Sequence, residues 1–100
     1  MTDRDRVCEA VLARLSTIMD PGMGVDVVRM RLIEDLTVDG EGVARYKFRP
    51  SSPLCPLAVS LALSIRQAVV EVEGVTDQEI EVVGHVRAAE LNAMLRETAG

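Results

Sequence analysis

The chain has 100 residues, 48% apolar and 27% charged, with two cysteines, one histidine, one tyrosine, one phenylalanine and no tryptophan. Such a length and composition fit one domain spanning 1–100 with an aliphatic core, and they argue against global disorder. A net charge of −5 has the wrong sign for a phosphate-backbone binder, and two rings in one short segment make a poor stacking platform, so no nucleic-acid partner is expected.

No apolar run approaches the roughly 18–20 residues of a membrane span. The opening Met1-Thr2-Asp3-Arg4-Asp5-Arg6 lacks the apolar centre of a signal peptide. The chain therefore reads as cytoplasmic with no membrane partner, and its cysteines as reduced thiols rather than a disulfide.

Helical spacing begins at Thr2, with Val7, Val11, Leu15 and Ile18 on one stripe flanked by Cys8, Leu12 and Met19. Thr2 and Asp5 suit its N-terminal cap, and Pro21, Gly22 and Gly24 stop it at Asp20. Val28, Met30, Leu32, Leu36 and Val38 then alternate as a strand, with Glu34 the polar member of the inward series and Ile33 on the outer face. Asp39-Gly40-Glu41-Gly42 is hairpin-turn chemistry. The return strand, 43–49, sets Ala44, Tyr46 and Phe48 against Arg45, Lys47 and Arg49.

Pro50 to Pro56 holds three of the four prolines and must be a loop. Pro56 stands at the expected first position of a long helix, lined by Ala58, Leu61, Ala62, Ile65, Val69 and Val72 and capped by Gly74. A third strand follows over 78–84 with Ile80 and Val82 inward. A helix over 87–98 closes the chain, using Ala88, Leu91, Met94 and Leu95. The order α-β-β-α-β-α predicts an α/β two-layer sandwich: a small three-stranded mixed sheet with helices on one face. The helix between the second and third strands makes those two parallel, while the third strand's neighbour, first or second, stays open. Such a sheet has two exposed edges, compatible with a homodimer.

Cys55 is the leading site candidate. With Pro56 opening a helix, Cys55 falls at the N-cap or one step outside it, where free N–H groups and the helix dipole favour a thiolate. The opposing reading is a packed cysteine acting as a small hydrophobe. Cys8, beside the first helix's core stripe, is read as packing, and His85 as a solvent-facing or hydrogen-bonding residue before the last helix. Asp20 ends the first helix at a rigid Pro-Gly corner. The two cysteines have no close metal-ligand spacing, and no HExxH, Walker or Gly-x-Gly-x-x-Gly pattern occurs.

These motifs resemble the iron–sulfur cluster assembly family that includes SufT-like and PaaD-like metal–sulfur cluster biosynthesis proteins. The resemblance runs through Ile18-Met19-Asp20-Pro21-Gly22, Gly24-Val25-Asp26-Val27-Val28 and Arg31-Leu32-Ile33. Its most specific part is the loop Ser51-Ser52-Pro53-Leu54-Cys55-Pro56, followed by Val72-Glu73-Gly74-Val75. Together they span about Val7 to Val83. The family's glutamate after Asp-Pro is here Gly22, and no cysteine-rich tail follows the last strand.

The resemblance implies a non-enzymatic accessory protein of cluster assembly or delivery. It implies Cys55 as metal and cofactor ligand, with Asp20 orienting it or adding an oxygen. A cluster normally takes four thiolates and one chain has two. Any iron–sulfur cluster or iron is therefore transient, with none permanently bound, and is completed by a second copy, a small thiol or a client. Partners are then proteins of iron–sulfur assembly or a client metalloprotein. The alternative is a non-catalytic interaction adaptor with Cys55 structural and Ile33 and Leu54 as contact points. Thiol redox enzymology is a weaker third reading, since no CxxC is present.

Overall fold

The computed structural model describes residues 3–20, 23–54 and 56–97. Thr2, Pro21, Gly22, Cys55 and Thr98 lie outside the described residues, and with them the Thr2 cap and the Pro21-Gly22 stop. Helix α1 spans Asp3–Leu15 and buries Val11 and Leu15 completely. It ends well short of Asp20. Ser16 Oγ bonds back to the Leu12 carbonyl at 2.9 Å and Thr17 Oγ1 to that of Arg14 at 2.7 Å, tightening the last turn. The chain then doubles back: Val27 N–H donates to Ile18 and Asp20 N–H to Val25, both at 2.9 Å, around a bridge between Met19 and Asp26.

Strand β1 spans Ile33–Val38, not the expected 28–38. The Asp26 carboxylate accepts from the N–H groups of Val28 (3.1 Å) and Arg29 (2.9 Å), and the Asp26 carbonyl from Met30. This self-capped turn replaces the strand start, and Arg31 leaves it at φ 59°. Strand β2 spans Val43–Phe48 and pairs antiparallel with β1, with a register slip between Glu34 and Thr37. Asp35, at φ 54°, makes that bulge. The bulge corrects the inward series to Ile33, Leu36 and Val38. Ile33 lies opposite Phe48 and packs on the core, so it is not an outer-face contact point. Glu34 instead turns outward, to Arg49 at 2.8 Å.

Helix α2 spans Ala58–Val70 with Leu57 as N-cap and Glu71 as C-cap. Pro56 therefore precedes the helix rather than opening it, and Gly74, at φ 99°, serves the next turn instead of the cap. Strand β3, Asp77–Val82, runs parallel to β2, giving the order β1-β2-β3 and settling the third strand's neighbour. Helix α3, Ala88–Glu97, packs against β3 and buries Leu91 and Leu95. Its Met94 faces solvent, contrary to expectation.

The observed fold is thus the expected α/β sandwich, three helices and a small mixed sheet. Its core is Val11 and Leu15 of α1, Ala44, Tyr46 and Phe48 of β2, Ile65 and Val69 of α2, and Val82. Each large side chain buried there contributes about 1.5–3 kcal/mol. The opposite sheet face is a charge grid. Arg45 pairs with Asp39 and Glu79, Lys47 with Asp35, and Arg49 with Glu34. The basic stripe of β2 is neutralised by its own neighbours.

Candidate functional site

Asp20 is a buried charged residue, only 5% exposed. Its carboxylate accepts from Met23 N–H at 3.3 Å and from Ser51 Oγ at 3.4 Å. Its carbonyl accepts from Gly24 N–H at 2.8 Å. The corner therefore closes on itself and reaches the proline loop through Ser51. The loop is anchored twice more: Arg49 N–H donates to Leu32 at 2.8 Å, and the Pro53 carbonyl accepts from Val86 N–H at 2.9 Å. Three segments distant in sequence thus converge, around Asp20, Ser51–Leu54 and His85–Val86. Ser52 Oγ accepts from Leu54 N–H at 3.2 Å, which bends the loop within itself.

Among the sequence-predicted residues, Asp20 is brought to the loop that leads into Cys55. Cys55 itself lies outside the described residues. His85 is half-buried, and its Nδ1 accepts from Arg87 N–H at 3.0 Å. The neighbouring Val86 bond ties its segment to the same loop. Cys8 stands apart on α1, packed against the core. Burial pushes its thiol up, and the carboxylates of Asp5 and Glu9 push it further, so Cys8 stays protonated and inert. No group of three or more His, Cys, Asp or Glu side chains among the described residues could hold a metal ion.

Of an apolar rim, the sequence reading named Leu54 and missed the rest. Met19 (53% exposed), Met23 (65%), Leu54 (71%) and Val86 (66%) belong to the three converging segments, and Leu57 (42%) caps α2 just beyond the loop. Large apolar side chains this open are informative when they share one neighbourhood. A signal was present: Met23 sits between glycines and Leu54 between prolines, where no periodicity assigns them to a core.

With this geometry in view, comparison with known proteins decides the family. The model of a family described as iron–sulfur cluster assembly protein matches residues 8–82. The chain belongs to that family. A protein of Methanocaldococcus jannaschii, itself uncharacterised, is 42% identical over 89 residues, covering 89% of this chain and 94% of its own. An iron–sulfur cluster carrier protein of Deinococcus radiodurans is 40% identical over 81 residues, 81% of this chain. This family member spans only 23% of that carrier's length. A solved domain of unknown function from Bacillus anthracis shares the fold at TM-score 0.75 and 22% identity, over 96% of both chains. The family match ends at Val82, leaving His85 and α3 beyond it. No helix among the described residues is long and apolar enough to cross a membrane.

Proposed function

We propose that this family member is a non-enzymatic accessory protein of iron–sulfur cluster assembly or delivery, acting in the cytoplasm and holding iron or a cluster as cargo through the Cys55 thiolate. The observation that carries this reading is the buried Asp20 carboxylate, bonded at 3.4 Å to Ser51 in the loop leading into Cys55. A carboxylate bonded to that loop orients it through Ser51 and would supply a hard oxygen donor to complement the soft Cys55 thiolate. A cluster takes four thiolates when fully ligated. Cys8 is protonated on another element, so the chain lends one thiolate and the remaining ligands come from a partner. Incomplete ligation makes the cargo releasable, as delivery to an assembly protein or client metalloprotein requires.

Anaerobic reconstitution with iron and sulfide tests the reading. The wild type is expected to retain iron and Cys55→Ala to lose most of it, while Cys8→Ala retains it. Equal iron in the wild type and Cys55→Ala sinks the ligand role. The apolar rim favours one alternative: an adaptor that docks on an assembly factor or metalloenzyme with Cys55 structural. Under that reading, partner capture survives Cys55→Ala and is lost in Met23→Asp/Leu54→Asp.

A further inference from the structure

The sheet has two edges, and they are not alike. The β1 edge is broken by the bulge at Asp35, a device that blunts strand addition. The β3 edge is straight. Val83 N–H donates to Phe48 at 2.9 Å, so odd-numbered residues of this strand direct their backbone groups to β2 and even-numbered ones direct theirs outward. At Val82 both outward groups are taken by the side-chain amide of Asn92, at 2.7 and 3.1 Å. The amide mimics an added strand for one residue. At Gln78 the N–H is taken by the Asp77 carboxylate at 2.8 Å. The outward N–H and C=O of Ile80, between them, have no partner among the described residues.

A groove of about 1170 Å³ runs along this edge. On the helix side it is walled by Leu63 and Val70, which are 39% and 54% exposed, and by Leu95. On the open side stand Glu79 and Glu81, in register with Arg45 and Lys47. The bases that line it are already engaged: Arg45 with Asp39 and Glu79, Lys47 with Asp35, and Arg66 with the Leu95 carbonyl. Arg96 stands at the far end of α3, away from Glu79 and Glu81 in sequence and element. Glu81 has no ion-pair partner among the described residues.

We propose that the β3 edge receives an extended segment of a partner protein as a fourth strand, pairing with Ile80. The segment's side chains alternate, apolar toward Leu63 and Val70 and cationic toward Glu81, the groove acid that Arg45 does not already hold. Backbone pairing supplies the affinity of such additions and alternate side chains the selectivity. A second copy is the wrong occupant: antiparallel β3–β3 pairing sets the acids of one strand against those of the other, and opposed like charges destabilise a pair. The inference rests on the sheet alone, so it stands or falls separately from the role of Cys55.

The test uses the ¹⁵N-labelled full chain and a capped heptapeptide alternating valine and lysine. A valine–glutamate heptapeptide and an N-methylated copy of the lysine peptide serve as counter-probes. The lysine peptide is expected to slow amide exchange at Ile80 roughly tenfold and to shift resonances along β3. Neither counter-probe should do so, and Glu81→Lys should weaken the lysine peptide's effect. Equal protection by the lysine and glutamate peptides, shifts confined to surfaces away from β3, or no protection at Ile80 overturns the proposal. So does concentration-dependent protection of Ile80 in the free protein, which would mark the edge as a self-association surface.

Discussion

Asp20 couples two functions through one side chain. Its buried carboxylate holds the corner by Met23 N–H and the proline loop by Ser51 Oγ, both part-buried bonds to exposed residues. Removing it loses both side-chain bonds, each worth about 0.5–1.5 kcal/mol, while Met23 N–H keeps the Asp20 carbonyl at 3.2 Å. Asp20→Ala is therefore expected to lower stability by roughly 2 kcal/mol in urea denaturation and to cut iron retention even where the protein remains folded. Asp20→Asn keeps the acceptor oxygen toward Ser51 and should recover most of the stability but not the iron. Full retention by the asparagine variant would show the residue to be a loop anchor only. Cys8 marks the contrast at this scale: half-buried, with the carboxylates of Asp5 and Glu9 nearby, its thiol is pushed up from the usual cysteine range.

At the scale of elements, the turns carry the most information. The β1–β2 turn and the turn after α2 touch: Thr76 N–H donates to the Gly42 carbonyl at 2.9 Å and Thr76 Oγ1 to that of Glu41 at 2.7 Å. Gly42 has φ +87°, and a Cβ there would lie 2.5 Å from the Gly74 carbonyl oxygen. Gly42→Ala must both strain its own backbone and push the second turn away from the first. It is expected to cost at least about 2 kcal/mol, while Gly40→Ala, which meets nothing within 4 Å, should be near neutral by the same denaturation assay. Much of the element order was legible in the sequence because strict alternation over 43–48 and the aliphatic stripe of α2 admit one period each. The departures share a cause. Ser16, Thr17 and Asp26 bond to nearby backbone, ending a helix and delaying a strand that hydrophobic spacing alone would extend. The bulge at Asp35 was hidden for a related reason: it needs a non-glycine residue at positive φ, which pattern reading disfavours. The candidate site was legible as a loop motif and a corner, yet their meeting depends on the Ser51–Asp20 bond, which no spacing encodes.

Across the whole molecule, one ring reports on the core. Tyr46, the only tyrosine, is 3% exposed, and its hydroxyl donates to Gln78 Oε1 at 2.7 Å. Gln78 in turn donates from Nε2 to the Arg66 carbonyl at 2.8 Å, so the ring ties β2, β3 and α2 together. Burial pushes its ionisation far above the usual value near ~10, against a weaker downward pull from Arg66. A group raised on folding contributes its full stability below its unfolded pKa and loses it as pH rises toward the folded one. Stability should therefore hold through neutral pH and decline above about pH 10, by up to about 1.4 kcal/mol per pH unit from this group. The chain is already at −5 near neutrality, and losing further protons adds repulsion in the same direction. With no tryptophan to interfere and one tyrosine in the chain, tyrosinate absorbance is a clean probe of this one side chain. It is expected to appear together with the loss of helical circular dichroism, in one alkaline transition well above pH 10. Tyr46→Phe, costing about 1 kcal/mol at neutral pH through the lost hydrogen bond, should flatten the alkaline decline. A tyrosinate signal that titrates near its ordinary value while the dichroism stays native would mean the ring is reached by solvent, and the core joining β2 to α2 is looser than its packing indicates.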